Sequence, residues 1–271
     1  MKQLPLGILG LFILLSSCNP SPKVPSLKQD AYSSQIITRT IKSKFLTEDR
    51  KLTIYLPNDI EKKDKIPVVY ATDGQIFLDD YKDDLDSLIR NRVTPKFVFV
   101  GVHSNEKRIE GFDLQYRNYE YIKDYADTDN QNLQDLFSNH LSFFSKELIP
   151  YIESRYPVSK DASKRIFYGA SNGAGFGVSM STEFPLLIKH YICFSMAGGN
   201  YDLLNWNKAS YPNFILSYGV KEPFPLTLQI DEFHNFLQEN NYDHIFYKYE
   251  GGHSRENWKS EFMKQIPALL K

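Results

Sequence analysis

Residues 169–173 read Gly-Ala-Ser-Asn-Gly, a G-x-S-x-G pentapeptide. A serine framed this way does chemistry when it sits on a sharp strand-to-helix turn that lifts its hydroxyl above the end of a sheet. The flanks of Ser171 fit that setting: the apolar stretch Arg165 to Tyr168 reads as a strand, and Ala174 to Met180 can form a helix. The two glycines then have a steric task, because the turn leaves little room for side chains beside the serine. A Gly-rich turn that merely starts a helix is the plainer alternative, and the strand ahead of the motif argues against it. A serine hydroxyl is a poor nucleophile near neutral pH and needs a base. Behind such an elbow the order along the chain is serine, acid, histidine. Of six histidines, His190, His234, His244 and His253 follow Ser171. His190 and His244 stand where strands begin, at the wrong edge of a parallel sheet, and His234 falls inside a helical pattern. His253, in Gly251-Gly252-His253-Ser254, comes just after the last strand and is the expected base. The acid should follow the strand Phe214 to Ser217, where Gly219-Val220-Lys221-Glu222-Pro223 offers Glu222. An exposed loop carboxylate is the alternative reading of Glu222, and Asp231 and Asp202 are the other candidates.

Elements able to position these residues are legible along most of the chain. Ile36 to Phe45 and Lys51 to Leu56 are β-rich and joined by polar residues, as in an antiparallel hairpin. Ile66 to Ala71 and Phe97 to Val102 are nearly continuous apolar runs, the mark of strands buried on both faces. Arg165 to Tyr168, Tyr191 to Phe194, Phe214 to Ser217 and Ile245 to Tyr249 complete a set of eight. Between them, Leu133, Leu136, Phe137, Leu141, Phe144, Leu148, Ile149 and Ile152 recur at helical spacing, and so do Leu226, Ile230, Phe233 and Leu237. A last helix is expected over about Arg255 to Leu270. Alternating strands and helices predict an α/β fold: a mostly parallel central sheet of about eight strands with helices on both faces. No internal repeat or second domain is evident. The longest irregular stretch, His103 to Asn132, follows a strand, and loops at that end of parallel strands build sites.

The chain has 271 residues, 42% of them hydrophobic, which is a globular composition. Lys plus Arg number 32 against 33 Asp plus Glu, so nothing supports a nucleic-acid partner. Lys2, then a mostly apolar run from Leu4 to Leu15, then Ser16-Ser17-Cys18, reads as an export signal too short to span a bilayer. Leu15-Ser16-Ser17-Cys18 resembles a lipoprotein signal, with residues 1–17 removed and Cys18 acylated; a plain signal peptide is the alternative. The resulting expectation is a lipid-anchored protein of the cell envelope, facing the periplasm or on the outer membrane. Residues 18–34 carry Pro20, Pro22 and Pro25 and read as a tether, and 35–271 as the folded domain. Cys193 is then the only internal thiol, so no intramolecular disulfide is expected. No H-E-x-x-H, zinc-spaced Cys/His cluster or Walker-type loop is present, and no metal or cofactor is implied.

From Ile36 to Leu270 the chain resembles the esterase family of α/β-hydrolases that includes esterase D, enterochelin esterases, bacterial feruloyl esterases and the antigen 85 acyltransferases. The residues that carry the resemblance are Val68-Val69-Tyr70-Ala71-Thr72-Asp73-Gly74-Gln75, the Ser171 elbow, the Gly219 to Glu222 turn, and Gly251-Gly252-His253 followed by Trp258. The resemblance implies an oxyanion hole made by the backbone N–H of Gln75, in the loop after Asp73-Gly74, and that of Asn172. It implies a turn-shaping role for Asp73 and a mostly structural role for Arg117 and Glu120, which match an Arg-x-x-Glu segment near the site. Glu222 departs from the commoner Asp. The function implied is a serine esterase acting through an acyl-enzyme on a siderophore, feruloyl or acetyl-polysaccharide ester. An acyltransferase on the same machinery, or a non-catalytic lipoprotein binding a glycan or siderophore, are the rival readings. Trp206 and the aromatics of His103 to Asp129 are either a stacking surface for such a ligand or core packing.

Overall fold

The structure, a computed structural model, describes residues 34–111, 113–126, 129–201, 204 and 206–270, with residues 77–80 as backbone only. The expected signal segment, Cys18, the tether as far as residue 33, and Asp202 lie outside the described residues.

Eight strands form one sheet: β1 (Gln35–Ile41), β2 (Arg50–Leu56), β3 (Val68–Ala71), β4 (Val98–Val102), β5 (Arg165–Ala170), β6 (His190–Phe194), β7 (Asn213–Gly219) and β8 (His244–Tyr249). Their order is β1-β2-β4-β3-β5-β6-β7-β8. β1 pairs with β2, and β2 with β4, antiparallel; the six strands from β4 to β8 are mutually parallel. The first strand stops at Ile41 rather than Phe45. Ser43 Oγ accepts hydrogen bonds from the N–H groups of Phe45 (3.1 Å) and Leu46 (3.0 Å), which turns the backbone off the ladder.

The continuous apolar runs have a simple cause. Successive side chains point to opposite faces of a strand, and both faces are buried. In β3, Val68 and Tyr70 join one core and Val69 and Ala71 the other. In β4, Val98, Val100 and Val102 face the first core while Phe99 faces the second. Helices α1 (Gly74–Arg90) and α9 (Arg255–Leu269) cover the second core. There Phe262, fully buried, meets the rings of Tyr168, Phe99 and Tyr81 at 4.5, 5.5 and 5.8 Å, tying α9 to the sheet. The first core lies under α7 (Asn172–Glu183), α8 (Phe224–Glu239) and the chain from 131 to 155.

Two stretches depart from expectation. The apolar stripe from Leu133 to Ile152 is not one helix but α4 (Gln131–Gln134), α5 (Leu136–Phe143), a π-helical turn (Phe144–Leu148) and α6 (Ile149–Arg155). Pro150 has no N–H for the carbonyl four residues back. Ahead of it the ladder widens, with Ile149 N–H bonding Phe144 O five residues back. The stretch after β4, expected to be irregular, holds α2 (Tyr116–Tyr121) and α3 (Lys123–Ala126), both too short to show a periodic stripe. Glu120 on α2 forms a paired salt bridge with Arg50 at the head of β2, at 2.7 and 3.1 Å, and both are fully buried. Trp206 is also core: it is buried, donates Nε1–H to Ser181 O, and stacks on Phe214 at 5.7 Å. It is no stacking surface for a ligand.

Candidate active site

Ser171 joins β5 to α7 at φ 54° and ψ −129°, a strained conformation for a residue with a side chain. Its N–H bonds Phe194 O at the end of β6, and its carbonyl accepts the N–H groups of Ala174, Gly175 and Ala197. The steric reading of the flanking glycines holds. A Cβ on Gly169 would lie 2.5 Å from Gly173 O, and one on Gly173 would lie 2.2 Å from Thr72 Oγ1. The Ser171 turn is thus pressed on itself and against the turn after β3.

β7 and β8 deliver the acid and the histidine to the same carboxyl edge. Gly219 pairs with Tyr249 at the end of the ladder. Past it, Val220 N–H bonds Tyr249 O at 2.9 Å and Lys221 N–H bonds Gly251 O at 2.8 Å, so the two loops run together. A Cβ on Gly219 would sit 2.3 Å from Gly251 O, which explains the glycine. His253 Nδ1 then faces Glu222 Oε2 at 2.8 Å. The His253 side chain is 26% exposed while that of Glu222 is fully buried, so Glu222 is no loose surface carboxylate. Glu222 Oε1 accepts the Ser195 hydroxyl at 2.6 Å and Gly219 N–H at 2.9 Å. Burial pushes the Glu222 carboxyl up, but the hydrogen bonds from His253, Ser195 and Gly219 outweigh it and hold the group below the ordinary glutamate value. An ionised acceptor at Glu222 places a hydrogen on Nδ1 of His253, and in the neutral imidazole this leaves Nε2 with the lone pair. The Ser171 hydroxyl makes no hydrogen bond to His253, a contact that commonly tightens only with substrate.

The two amides expected to line an oxyanion hole stand at helix starts. Gln75 is not in a loop: Gly74 and Gln75 open α1, after Asp73 in the left-handed region at φ 56°. Asn172 opens α7. The first N–H groups of a helix have no acceptor within it and sit at the positive end of its dipole. The Gln75 side chain turns away to Ser104, which it meets at 2.5 Å, and to Glu106 at 2.9 Å. Arg117 grips Asp73 with two hydrogen bonds of 2.6 and 2.7 Å and lies 4.8 Å from the Tyr121 ring. The Arg-x-x-Glu pair is therefore divided: Arg117 serves the turn before α1, and Glu120 serves Arg50.

The competing candidates are engaged elsewhere. Asp231 accepts the Tyr218 hydroxyl at 2.8 and 2.9 Å rather than His253. His234 and His244 meet each other at 2.7 Å, and His244 starts β8, at the amino edge. Among the described residues no three His, Cys, Asp or Glu side chains converge as a metal site. Ser195, Tyr249 and Trp258 around the acid were not expected as site residues. Ser195 left one signal, a small polar residue immediately after a strand at the carboxyl edge.

Known proteins of related sequence and fold bear on this arrangement. In overall fold the chain is similar to a ferulic acid esterase from Anaeromyces mucronatus, with a TM-score of 0.69 and 17% identity, covering 91% of this chain and 95% of that one. It is also similar to an enterochelin esterase from Shigella flexneri, with a TM-score of 0.66 and 16% identity, covering 93% of this chain and 60% of that one. At such identities the likeness is one of fold. By sequence it is 24% identical over 152 residues to the uncharacterized protein YjcH of Bacillus subtilis (strain 168). That match covers 55% of this chain and spans 57% of the relative's length. A family model described as "Putative esterase" matches residues 43–209, from the turn after β1 through the elbow and β6. With more than half of its length matched and an α/β-hydrolase sheet beneath the elbow, the chain belongs to that esterase family.

Proposed function

We propose that this protein is a serine esterase that hydrolyses a carboxylic ester through an acyl-enzyme. Ser171 Oγ bonds to the ester carbonyl carbon as its proton passes to His253 Nε2. The carbonyl oxygen takes the negative charge and is met by the N–H groups of Gln75 and Asn172. Collapse breaks the bond to the alcohol oxygen, which leaves with the proton from His253. Water then attacks the acyl group, giving a proton to His253, and the acid departs as Ser171 recovers its hydrogen. Glu222 fixes the imidazole tautomer and stabilises the imidazolium that forms twice in the cycle.

The observation that carries this reading is the 2.8 Å contact between His253 Nδ1 and the buried Glu222 side chain, on the sheet edge that also bears the strained Ser171 turn. A protein that only bound a ligand would have no need of that contact. The test is a fluorophosphonate probe followed by peptide mapping, with Ser171→Ala in parallel. Label is expected on Ser171 alone, and the Ala variant should be folded, unlabelled and inactive on an activated aryl ester. Label on another serine, or activity in the Ala variant, refutes the assignment.

The substrate class proposed is an ester of an aromatic acid or of an acetylated or feruloylated glycan, in keeping with the ferulic acid and enterochelin esterases of similar fold. A hydrolysis panel of aryl, feruloyl, acetyl-sugar and siderophore esters separates these. The domain is further proposed to be exported and held at a membrane by acylated Cys18, on the strength of the Leu15-Ser16-Ser17-Cys18 segment. Cys18→Ser should shift the protein from the membrane fraction to a soluble or unprocessed form. A soluble wild-type protein without lipid mass on its first residue contradicts the anchor.

A further inference from the structure

Ser195 follows β6 directly, level with Ser171 in the register that pairs Ala170 with Phe194. It is fully buried and left-handed at φ 49°, a conformation glycine adopts without steric cost. A serine kept there points to its hydroxyl as the reason, since strain of this kind persists where something else holds it in place. That hydroxyl has two firm partners. Trp258 Nε1–H on α9 donates to Ser195 Oγ at 2.8 Å, and Ser195 donates to Glu222 Oε1 at 2.6 Å. An indole N–H is a donor only. Ser195 must accept from Trp258, and its single hydrogen is directed to the carboxylate. Oε1 also takes Gly219 N–H and the more distant Tyr249 hydroxyl at 3.3 Å, which leaves Oε2 for His253. The loop of contacts then closes on itself, because the Trp258 ring meets the His253 ring edge-on at 4.8 Å and 84°.

We propose that Ser195 and Trp258 are positioning residues for the esterase chemistry: Trp258 orients the Ser195 hydroxyl, and that hydroxyl anchors one Glu222 oxygen so that the other aims at His253 Nδ1. The proposal rests on the reading of Ser171, His253 and Glu222 as the catalytic set. It assigns the unusual left-handed serine to the acid rather than to the fold, and it accounts for how a glutamate, with one more rotatable bond than aspartate, is held to one geometry.

Two consequences distinguish positioning from packing. The titratable groups within hydrogen-bond reach of Glu222 are His253 and Tyr249. The Tyr249 hydroxyl is pushed up by burial to about 12 and stays a neutral donor through the working range. Removing the Ser195 hydroxyl takes a donor from the carboxylate. Its charge then falls more fully on the His253 imidazolium, so the acid limb of kcat/KM moves to higher pH. Under the proposal Ser195 acts through Glu222, so a change at Ser195 has little left to impair once Glu222 is neutral.

The experiment measures kcat, KM and pH profiles on an activated aryl ester for wild type, Ser195→Gly, Trp258→Phe, Glu222→Gln and the Ser195→Gly/Glu222→Gln double variant, with thermal melts for each. Glycine suits φ 49°, so Ser195→Gly should remain folded. Its kcat should fall about tenfold, the loss expected from one charge-assisted hydrogen bond, with KM within about twofold and the acid limb raised. Trp258→Phe keeps the ring but not the donor, and should show a smaller change in the same direction. The double variant should match Glu222→Gln. If Glu222→Gln is impaired while Ser195→Gly and Trp258→Phe keep wild-type kcat and acid limb, positioning is overturned and the triad stands. If Glu222→Gln itself is unimpaired, the acid assignment falls and the positioning role with it. Should the melt show Ser195→Gly unfolded, the acid limb of Trp258→Phe decides alone: raised supports positioning, unmoved rejects it.

Discussion

In the proposed mechanism Glu222 and His253 act as one unit, joined by the 2.8 Å contact between His253 Nδ1 and Glu222 Oε2. With its carboxyl held below the ordinary glutamate value, Glu222 acts as acceptor on both oxygens, which puts a hydrogen on His253 Nδ1 and, in the neutral imidazole, the lone pair on Nε2. Glu222→Gln keeps the shape but offers His253 an amide that can present its NH2, which favours the wrong tautomer. In the serine-protease template a comparable change costs about 10⁴ in kcat. With the His253 side chain partly open to water, a loss of about 10² is expected here. His253→Ala should lose more, because the base itself is gone. The double variant should be no worse than His253→Ala, a non-additivity read directly from kcat on an activated ester. A Glu222→Gln enzyme within about threefold of wild type would point to a Ser171–His253 dyad instead.

Glycines decide the geometry where elements meet. The turn after β3, which carries Asp73 and the Gln75 amide, is packed against Gly173 in the first turn of α7. Gly173→Ala sets a methyl 2.2 Å from Thr72 Oγ1 and 3.1 Å from Asp73 Oδ2. Something must move, and either the elbow or the β3 turn carries the shift. Overpacking of this kind costs about 1–3 kcal/mol, and displacement by even a fraction of an ångström would move apart the two amides proposed for the oxyanion hole. Gly173→Ala is therefore expected to lower the melting temperature by several degrees, roughly what such a cost implies for a domain of this size. Its kcat should fall by more than the stability change accounts for. A variant with reduced melting temperature but wild-type kcat would separate the turn from the chemistry.

At the scale of the molecule, one buried ion pair ties the antiparallel edge of the sheet to the helices over the site. Arg50 begins β2, and Glu120 lies on α2, beside the Arg117 that grips Asp73. Arg50 also donates to His103 O at 2.9 Å, and the Glu120 carbonyl meets His140 Nδ1 at 3.2 Å. Burial pushes the His140 imidazole well below its ordinary value, so it stays neutral beside the cation. Removing one charge of a buried pair leaves the other uncompensated and costs about 3–5 kcal/mol. Glu120→Leu or Arg50→Met alone should destabilise the domain by that order in urea titrations. The double variant Arg50→Met/Glu120→Leu should recover most of the loss, because no lone charge remains. Single variants as stable as wild type would show that the pair carries little of the fold.

The parallel sheet and the strand–turn–helix setting of Ser171 were legible in the sequence, because each rests on a local pattern. Apolar runs such as Val68 to Ala71 and Val98 to Val102 report strands buried on both faces, and a G-x-S-x-G between strand and helix reports a turn with no room for Cβ atoms. His253 and Glu222 could be named because loops after parallel strands must gather at one edge. What local pattern does not carry is which polar groups meet across that edge. Among the carboxylates open as the acid, it is Glu222 that His253 meets, while Asp231 accepts the Tyr218 hydroxyl. Tertiary structure also divided Arg117 from Glu120, put Trp206 in the core, and brought Ser195 and Trp258 behind the acid. The stripe from Leu133 to Ile152 kept its helical spacing through a π turn, since spacing reports the buried face and not the bond ladder beneath it. The contacts across the sheet edge and in the core, unlike that π turn, join residues well separated in the chain. Their partners are chosen by the packing of whole elements, and a hydroxyl, an indole N–H or a carboxylate reads the same in sequence whichever partner it finds.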